Sequence, residues 1–121
     1  MNDNNTTISA MKDMIYRFIA ERNWVGQQNA LSVAVSISLE AAELLEIFQW
    51  CDKNEADKYA KETHREHFME ELADIMIYCM ELATTYDVDI ASAIEDKMRK
   101  NAKKYPAPNG DTQKAIEATG D

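Results

Sequence analysis

The sequence predicts an all-α protein built as a four-helix bundle. Glycine and proline, which interrupt helices, contribute only three and two of the 121 residues, and residues of high helix propensity are abundant. Apolar residues also recur at the i, i+3/i+4 spacing of amphipathic helices in four separate stretches. A chain of this length is expected to form one domain with a modest core.

The first two predicted helices flank a polar loop. Thr6 or Thr7 is expected to cap the first helix, which should stop near residues 21–23 and be followed by a loop at residues 24–30. The second helix is predicted over residues 31–50. The positions expected to face inward in these helices are Ile8, Met11, Ile15, Phe18, Ile19, Val33, Ile37, Ala41, Leu44, Leu45 and Phe48.

Two further helices are predicted after a polar segment at residues 51–61, which could itself form a short helix. A long third helix is expected over residues 63–86, and Asp87 or Asp89 should cap a fourth helix over residues 90–104. The positions expected to face inward here are Phe68, Leu72, Ile75, Met76, Cys79, Leu82, Ile94 and Met98.

The predicted helices define one domain over residues 1–106. Pro106 and Pro108 should end the last helix, because proline cannot continue it. Residues 107–121 are polar and are expected to form a disordered tail.

Charge and composition exclude several classes of function. A formal net charge of −9 and a pI near 4.6 argue against a nucleic-acid-binding surface. The sequence holds no apolar run that approaches the roughly 20 residues of a membrane span, and its polar start lacks the apolar segment of a secretion signal. Cys51 and Cys79 lie in or beside apolar helix faces, which favours free cysteines in a reducing compartment over a disulfide. These features predict a cytoplasmic protein without nucleic-acid or membrane partners.

Two acidic pairs at the same spacing are the main functional signal. Glu40 and Glu43 lie in one strongly apolar helical stretch, and Glu71 and Asp74 lie in another. The i, i+3 spacing places both members of a pair on one helix face. An isolated pair of this kind most often faces solvent, but these pairs border the apolar faces of their helices. If the two faces meet across an antiparallel pair of helices, four carboxylates converge.

Such a convergence would be unfavourable without a cation. Two like charges about 4 Å apart cost roughly 1 kcal/mol in water and about 4 kcal/mol in a partly shielded cleft. Because all four candidates are carboxylates, the expected ion is Mg²⁺, with Mn²⁺ as a substitute, and not zinc. A Mg²⁺ ion held in this way usually binds substrate phosphates as well.

Basic and polar groups for phosphate oxygens occur in the fourth predicted helix. Lys97, Asn101 and Lys104 follow the i, i+4, i+7 spacing and precede Tyr105. The alternative is an ordinary solvated helix end, where basic residues also interact favourably with the helix dipole.

Longer motifs carry a resemblance to a known family. Four strings carry it, in matching order and spacing. Two contain the acidic pairs: EAAELLEIFQW at residues 40–50 and EELADIMIY at residues 70–78. The other two are ERNW at residues 21–24 and KMRKNAKKYP at residues 97–106. Over residues 8–106 the chain resembles the MazG-like all-α nucleoside triphosphate pyrophosphohydrolases, a group that includes dCTP pyrophosphatases.

The resemblance implies Mg²⁺-dependent hydrolysis of a nucleoside triphosphate to a monophosphate and pyrophosphate, by a homodimer or homotetramer. It implies that the metal ligands are Glu40, Glu43, Glu71 and Asp74. Glu46 would be an extra ligand or would orient the attacking water, so that Glu43 and Glu46 are the implied catalytic residues. The residues implied to contact the nucleotide are Trp24, Trp50, Tyr78, Lys97, Asn101 and Tyr105.

The loop after Trp24 departs from the family pattern, so the preferred base stays open. Where the family often has the string FHxPKN, residues 27–32 here are QQNALS, with Gln28 in place of the histidine. Trp24 could also fill the helix junction as a hydrophobic plug, and Trp50 could belong to the core.

Two other functions remain as alternatives. A di-iron oxidase in a helical bundle would use E-x-x-H pairs, and the residues three before His64 and His67 are Lys61 and His64. These histidines are expected at the exposed start of the third helix and not in a zinc site. A catalytically silent nucleotide-binding or helical regulatory module is the second alternative, and release of pyrophosphate would distinguish it from the enzyme.

Overall fold

The computed structural model describes residues 1–108 and confirms the all-α class. Within these residues there is no strand, and there are five α-helices and one π-helical turn. Their bounds are α1 Ile8–Glu21, α2 Ala30–Phe48, α3 Lys53–Lys58, the π-helical turn Tyr59–Thr63, α4 Arg65–Thr85 and α5 Ile90–Lys104. The four predicted helices correspond to the long helices α1, α2, α4 and α5. The count of four does not include α3, a short helix in the polar segment for which one was considered. Most of the predicted tail, residues 109–121, lies outside the described residues.

Side-chain caps explain where three of the helices begin. Thr7, and not Thr6, caps α1 by accepting a hydrogen bond from the backbone N–H of Ala10. Asp89, and not Asp87, caps α5. At α2 the Asn29 side chain accepts from the backbone of Ser32, while the Ser32 hydroxyl accepts from the backbone of Asn29. This reciprocal capping box explains why α2 begins one residue earlier than predicted.

The described chain divides into two compact units, Met1–Tyr86 and the segment from Asp87 onward. In the first unit α4 is central, because both α1 and α2 pack against it. The Tyr86 hydroxyl, just after α4, accepts a hydrogen bond of 2.9 Å from the backbone N–H of Ala30 at the start of α2. This contact joins the end of one helix to the start of the other, so α2 and α4 run antiparallel. The second unit contains α5.

The apolar core of a single chain is small. Among residues 1–108 the buried apolar side chains are Val33, Met80, Ala83 and Ala102. Several positions predicted to face inward are instead exposed: Phe18, Ala41, Leu45, Leu72, Met76, Ile94 and Met98. Helical periodicity identifies an apolar stripe but does not say how much of its width a neighbouring helix covers. No described helix combines the length and apolar character needed to cross a bilayer.

The capping box at the start of α2 makes a stability prediction. Asn29→Ala should lower the free energy of unfolding by about 1 kcal/mol, because the backbone N–H of Ser32 loses its acceptor. Urea unfolding at a fixed protein concentration measures this loss. Asn54→Ala, at an exposed position in α3, is the control and should change the midpoint much less. Equal midpoints for Asn29→Ala and the unmodified protein would contradict the prediction.

Candidate metal and nucleotide site

Three of the four predicted carboxylates converge between α2 and α4. One oxygen from each of Glu40, Glu43 and Glu71 lies within 4.8 Å of the other two. Glu43 is exposed, Glu40 is half-buried, and only 8% of Glu71 is exposed. The antiparallel packing of α2 on α4 brings the two acidic faces together, which is the condition on which the expected convergence depended.

The cluster changes the proton affinity of Glu40. The neighbouring carboxyl group of Glu71, loss of hydration, and the nearby carboxylate charge of Glu43 together raise the pKa of Glu40 to about 7. The charge of Asp74 raises this pKa further, so the fourth predicted carboxylate also lies close to Glu40 although it is outside the group of three. The direction of the shift follows from like charges in a partly desolvated site, which oppose ionisation.

Two orphaned oxygens indicate that the cluster suits a cation. Glu40 Oε2 and Glu71 Oε2 are buried and have no hydrogen-bond partner among residues 1–108. Buried polar atoms normally have a partner, and carboxylate oxygens that share a cation satisfy that requirement. Since the converging donors are all hard oxygens, the arrangement fits Mg²⁺ or Mn²⁺ and gives no support to a zinc site.

His67 is a member of this neighbourhood that the sequence analysis missed. Its side chain is 55% exposed, as expected for a surface histidine, yet its Nε2 lies 3.3 Å from Oε1 of Glu71. The imidazole therefore contacts one oxygen of Glu71 and leaves the other, orphaned oxygen at the cluster. The i, i+4 spacing of His67 and Glu71 was a signal that could have indicated this pair. His64, by contrast, packs edge-on against the ring of Tyr59.

A cavity of about 460 Å³ adjoins the acidic cluster. Glu40 and Asp74 line one part of it, and Trp24 and Tyr78 line another, so two of the predicted nucleotide-contacting residues share a cavity with two of the predicted metal ligands. The remaining lining residues are Ile15, Phe18, Ile19, Gln27, Gln28, Ile77 and Glu81. Acidic groups beside an aromatic and apolar wall form a cavity that could bind a ligand with both a charged and an apolar part.

The two tryptophans occupy different environments. Trp24 is half-exposed in the cavity wall and packs edge-on against Phe18 at 6.1 Å between ring centroids. Trp50 lies just beyond α2 and is 91% exposed. The alternative that Trp50 belongs to the core of its own chain is therefore wrong. Helix α2 ends at Phe48, so Trp50 does not share the inward face of that helix.

The remaining predicted site residues are Glu46, Lys97, Asn101 and Tyr105. Glu46 is exposed on α2, one turn beyond Glu43. Lys97 and Asn101 lie in α5, and Tyr105 follows this helix directly. These last three belong to the second compact unit, and their phosphate contacts remain a prediction.

Comparison with known proteins identifies the family. The family model described as the MazG-like family matches residues 35–117. This match includes α2 from residue 35 onward, all of α4 and all the converging carboxylates. The chain belongs to the MazG-like family. The resemblance noted from the sequence is thereby confirmed.

Relatives and a solved structure agree with that membership. The chain is 32% identical over 101 residues to dCTP pyrophosphatase 1 of Mus musculus, covering 83% of this chain and 59% of that protein. It is 31% identical over 102 residues to dCTP pyrophosphatase 1 of Homo sapiens, covering 84% of this chain and 60% of that protein. The chain thus spans about three fifths of these relatives. A crystal structure of a pyrophosphatase from Archaeoglobus fulgidus superposes with a TM-score of 0.78 at 33% identity, covering 88% of this chain and 99% of that one.

The raised pKa of Glu40 predicts how stability depends on pH. Between pH 4.5 and about 7, folded Glu40 retains a proton that unfolded Glu40 has lost, so the metal-free protein should become less stable as pH rises through this window. Thermal melts in EDTA measure this trend. A divalent cation such as Mg²⁺ that binds only the folded site should raise the melting temperature by an increment that grows with pH.

Glu40→Gln is the matched control for this experiment, because it keeps the side-chain shape and removes the titration. It should flatten the pH trend in EDTA and reduce the increment due to Mg²⁺. If the unmodified protein melted at the same temperature in EDTA and in millimolar Mg²⁺ at pH 8, a cation site between α2 and α4 would be ruled out.

Proposed function

We propose that this MazG-like protein is a Mg²⁺-dependent nucleoside triphosphate pyrophosphohydrolase that converts a (d)NTP to a (d)NMP and pyrophosphate. The observation that supports this most strongly is the convergence of Glu40, Glu43 and Glu71 beside a cavity that Trp24 and Tyr78 also line. The named relatives are dCTP pyrophosphatases, so we propose a dNTP as the substrate.

The metal ligands in this proposal are Glu40, Glu43, Glu71 and Asp74. The orphaned oxygens of Glu40 and Glu71 are buried and need a cation to compensate their charge. When bound there, Mg²⁺ would neutralise phosphate charge and favour ionisation of a coordinated water. Mn²⁺ has the same preference for oxygen ligands and can substitute.

The reaction is attack by water on the α-phosphorus. A new phosphorus–oxygen bond forms, the bond between the α-phosphorus and the α–β bridging oxygen breaks, and pyrophosphate leaves. Glu46, exposed one turn beyond Glu43, would orient the attacking water and accept its proton, while Glu43 remains on the metal. Lys97, Asn101 and Tyr105 would donate hydrogen bonds to the phosphate oxygens, where negative charge develops.

The nucleoside would lie in the cavity beside the cluster. Trp24 and Tyr78 offer aromatic faces for the base and sugar, and base–aromatic stacking contributes about 1–3 kcal/mol per base. Trp50, almost fully exposed in one chain, would complete the pocket. Control of dNTP levels or removal of unwanted nucleotides in the cytoplasm would be the biological use.

A homodimer or homotetramer is the proposed assembly of the domain over residues 1–106. Large apolar side chains are exposed on α2 and beyond it, including Leu31, Leu39, Leu45 and Trp50. Large exposed apolar patches commonly mark protein interfaces. A second copy of the chain would cover these side chains and enlarge the small core.

Pyrophosphate release from the eight common NTPs and dNTPs, with Mg²⁺ and with EDTA, tests the reaction. Release should require Mg²⁺, and Glu71→Gln should lower kcat at least about 100-fold, because it removes a charge that holds the cation. Glu70→Gln, at the exposed neighbouring position, is the matched control and should retain most of the activity. Tight nucleotide binding without any product would instead support the catalytically silent module.

Light scattering coupled to gel filtration tests the assembly. The mass should be two or four times the 13.8 kDa of one chain, because exposed leucine and tryptophan side chains gain free energy when a second copy covers them. A mass of 13.8 kDa at all micromolar concentrations would contradict the proposed oligomer.

A further inference from the structure

We infer that Glu81 determines base specificity by accepting a hydrogen bond from the exocyclic amino group of a base such as cytosine or adenine. The inference rests on the proposed function, since it assumes that a nucleotide occupies the cavity beside the acidic cluster. It adds a residue that the sequence analysis did not single out.

Glu81 lies in the same cavity as the cluster but at a distance from it. It follows Asp74 by seven residues on α4, so the two residues lie on the same helix face about 10.5 Å apart along the axis. Both line the cavity of about 460 Å³, together with Glu40 and Trp24. A nucleotide whose phosphates lie at the cluster can therefore extend its base along α4 towards Glu81.

The surroundings of Glu81 favour a role in binding. Glu81 is half-buried, and loss of hydration raises the pKa of its carboxyl group. Glu81 also lines a second cavity of about 240 Å³, which shares Trp24 and Gln28 with the first. A partly desolvated carboxylate gains more from an N–H donor than a hydrated one does, because it has lost part of its hydrogen bonding to water.

The chemistry of a carboxylate selects among the bases. An ionised glutamate only accepts hydrogen bonds, and cytosine and adenine each offer an exocyclic amino group as a donor. Uracil and thymine place a carbonyl oxygen at the equivalent position, and its lone pairs repel a carboxylate. The triphosphate also repels Glu81, so a glutamate in this wall weakens nucleotide binding unless it receives a donor from the base.

Gln28 can assist this selection. Its amide is both a donor and an acceptor, and it lines both cavities together with Glu81 and Trp24. An amide donor can bind the ring nitrogen or carbonyl oxygen that lies beside the amino group. Trp24 then needs only to stack on the base, which any base permits.

The test compares kcat/KM for dCTP, dATP, dUTP and dTTP in Mg²⁺ between the unmodified protein and Glu81→Gln. The unmodified protein should prefer the two amino-bearing nucleotides. Glu81→Gln replaces the obligatory acceptor with an amide that can also donate, so the ratio of dCTP to dUTP should fall about 10- to 100-fold. Glu66→Gln, an exposed glutamate in the first turn of α4, is the matched control and should leave the ratio unchanged.

Calorimetry with the products dCMP and dUMP gives a readout that does not depend on turnover. Glu81→Gln should weaken binding of dCMP and leave dUMP unchanged or tighter. Circular dichroism and a thermal melt confirm that the variants are folded. Glu81→Ala, which removes both the acceptor and the repulsion without adding a donor, should weaken dCMP binding and strengthen dUMP binding less than Glu81→Gln does.

The outcomes separate this inference from the proposed function. A preference of the unmodified protein for dUTP or dTTP, or an unchanged ratio in Glu81→Gln, would overturn the role of Glu81 while hydrolysis itself stands. If no nucleotide were hydrolysed, the proposed reaction would fail, and selective loss of dCMP binding in Glu81→Gln would still support the role of Glu81. Equal dCMP binding in both proteins would refute it.

Discussion

Electrostatic repulsion among the carboxylates of α2 and α4 is the constraint on which the rest of the structure depends. The antiparallel packing that joins these helices also places Glu40, Glu43 and Glu71 within 4.8 Å of one another. The cost is visible in Glu40, whose pKa rises to about 7, and in two buried carboxylate oxygens without a partner among residues 1–108. A fold that places like charges in its main helix contact retains them when a cation compensates their repulsion.

The same contact positions the cavity. Successive residues along one face of α4 have different surroundings. Glu71 belongs to the cluster, Asp74 lines the cavity beside it, and Tyr78 and Glu81, further along the helix, continue the cavity wall. Because α1 packs on α4 as well, Trp24 in the loop after α1 closes that wall. Charge and apolar surface therefore follow one another along a single helix, which suits a ligand that is anionic at one end and aromatic at the other.

Much of the fold and of the site was predictable because its signals are local. Helix ends follow from caps such as Thr7 and Asp89, whose side chains bond within their own first turn. The i, i+3 spacing of the acidic pairs indicated which carboxylates share a helix face. The errors in predicted burial concern packing between elements, since Leu45 and Met76 follow the periodicity of buried residues but are exposed. One local contact was also missed: His67, expected only at the surface, contacts Glu71 one turn away on α4.

The sequence by itself determined the all-α class, the positions of the long helices and the residues that could form an acidic site, since propensity, capping and periodicity act over a few residues. Only the tertiary structure decided that the two acidic faces meet and that Trp24, Asp74 and Glu81 share one cavity. The physical reason is that helix packing brings together residues far apart in the chain. The hydrophobic periodicity of a helix does not specify how much of its apolar face a neighbouring helix covers. It also does not specify the shape of the cavity left between packed helices.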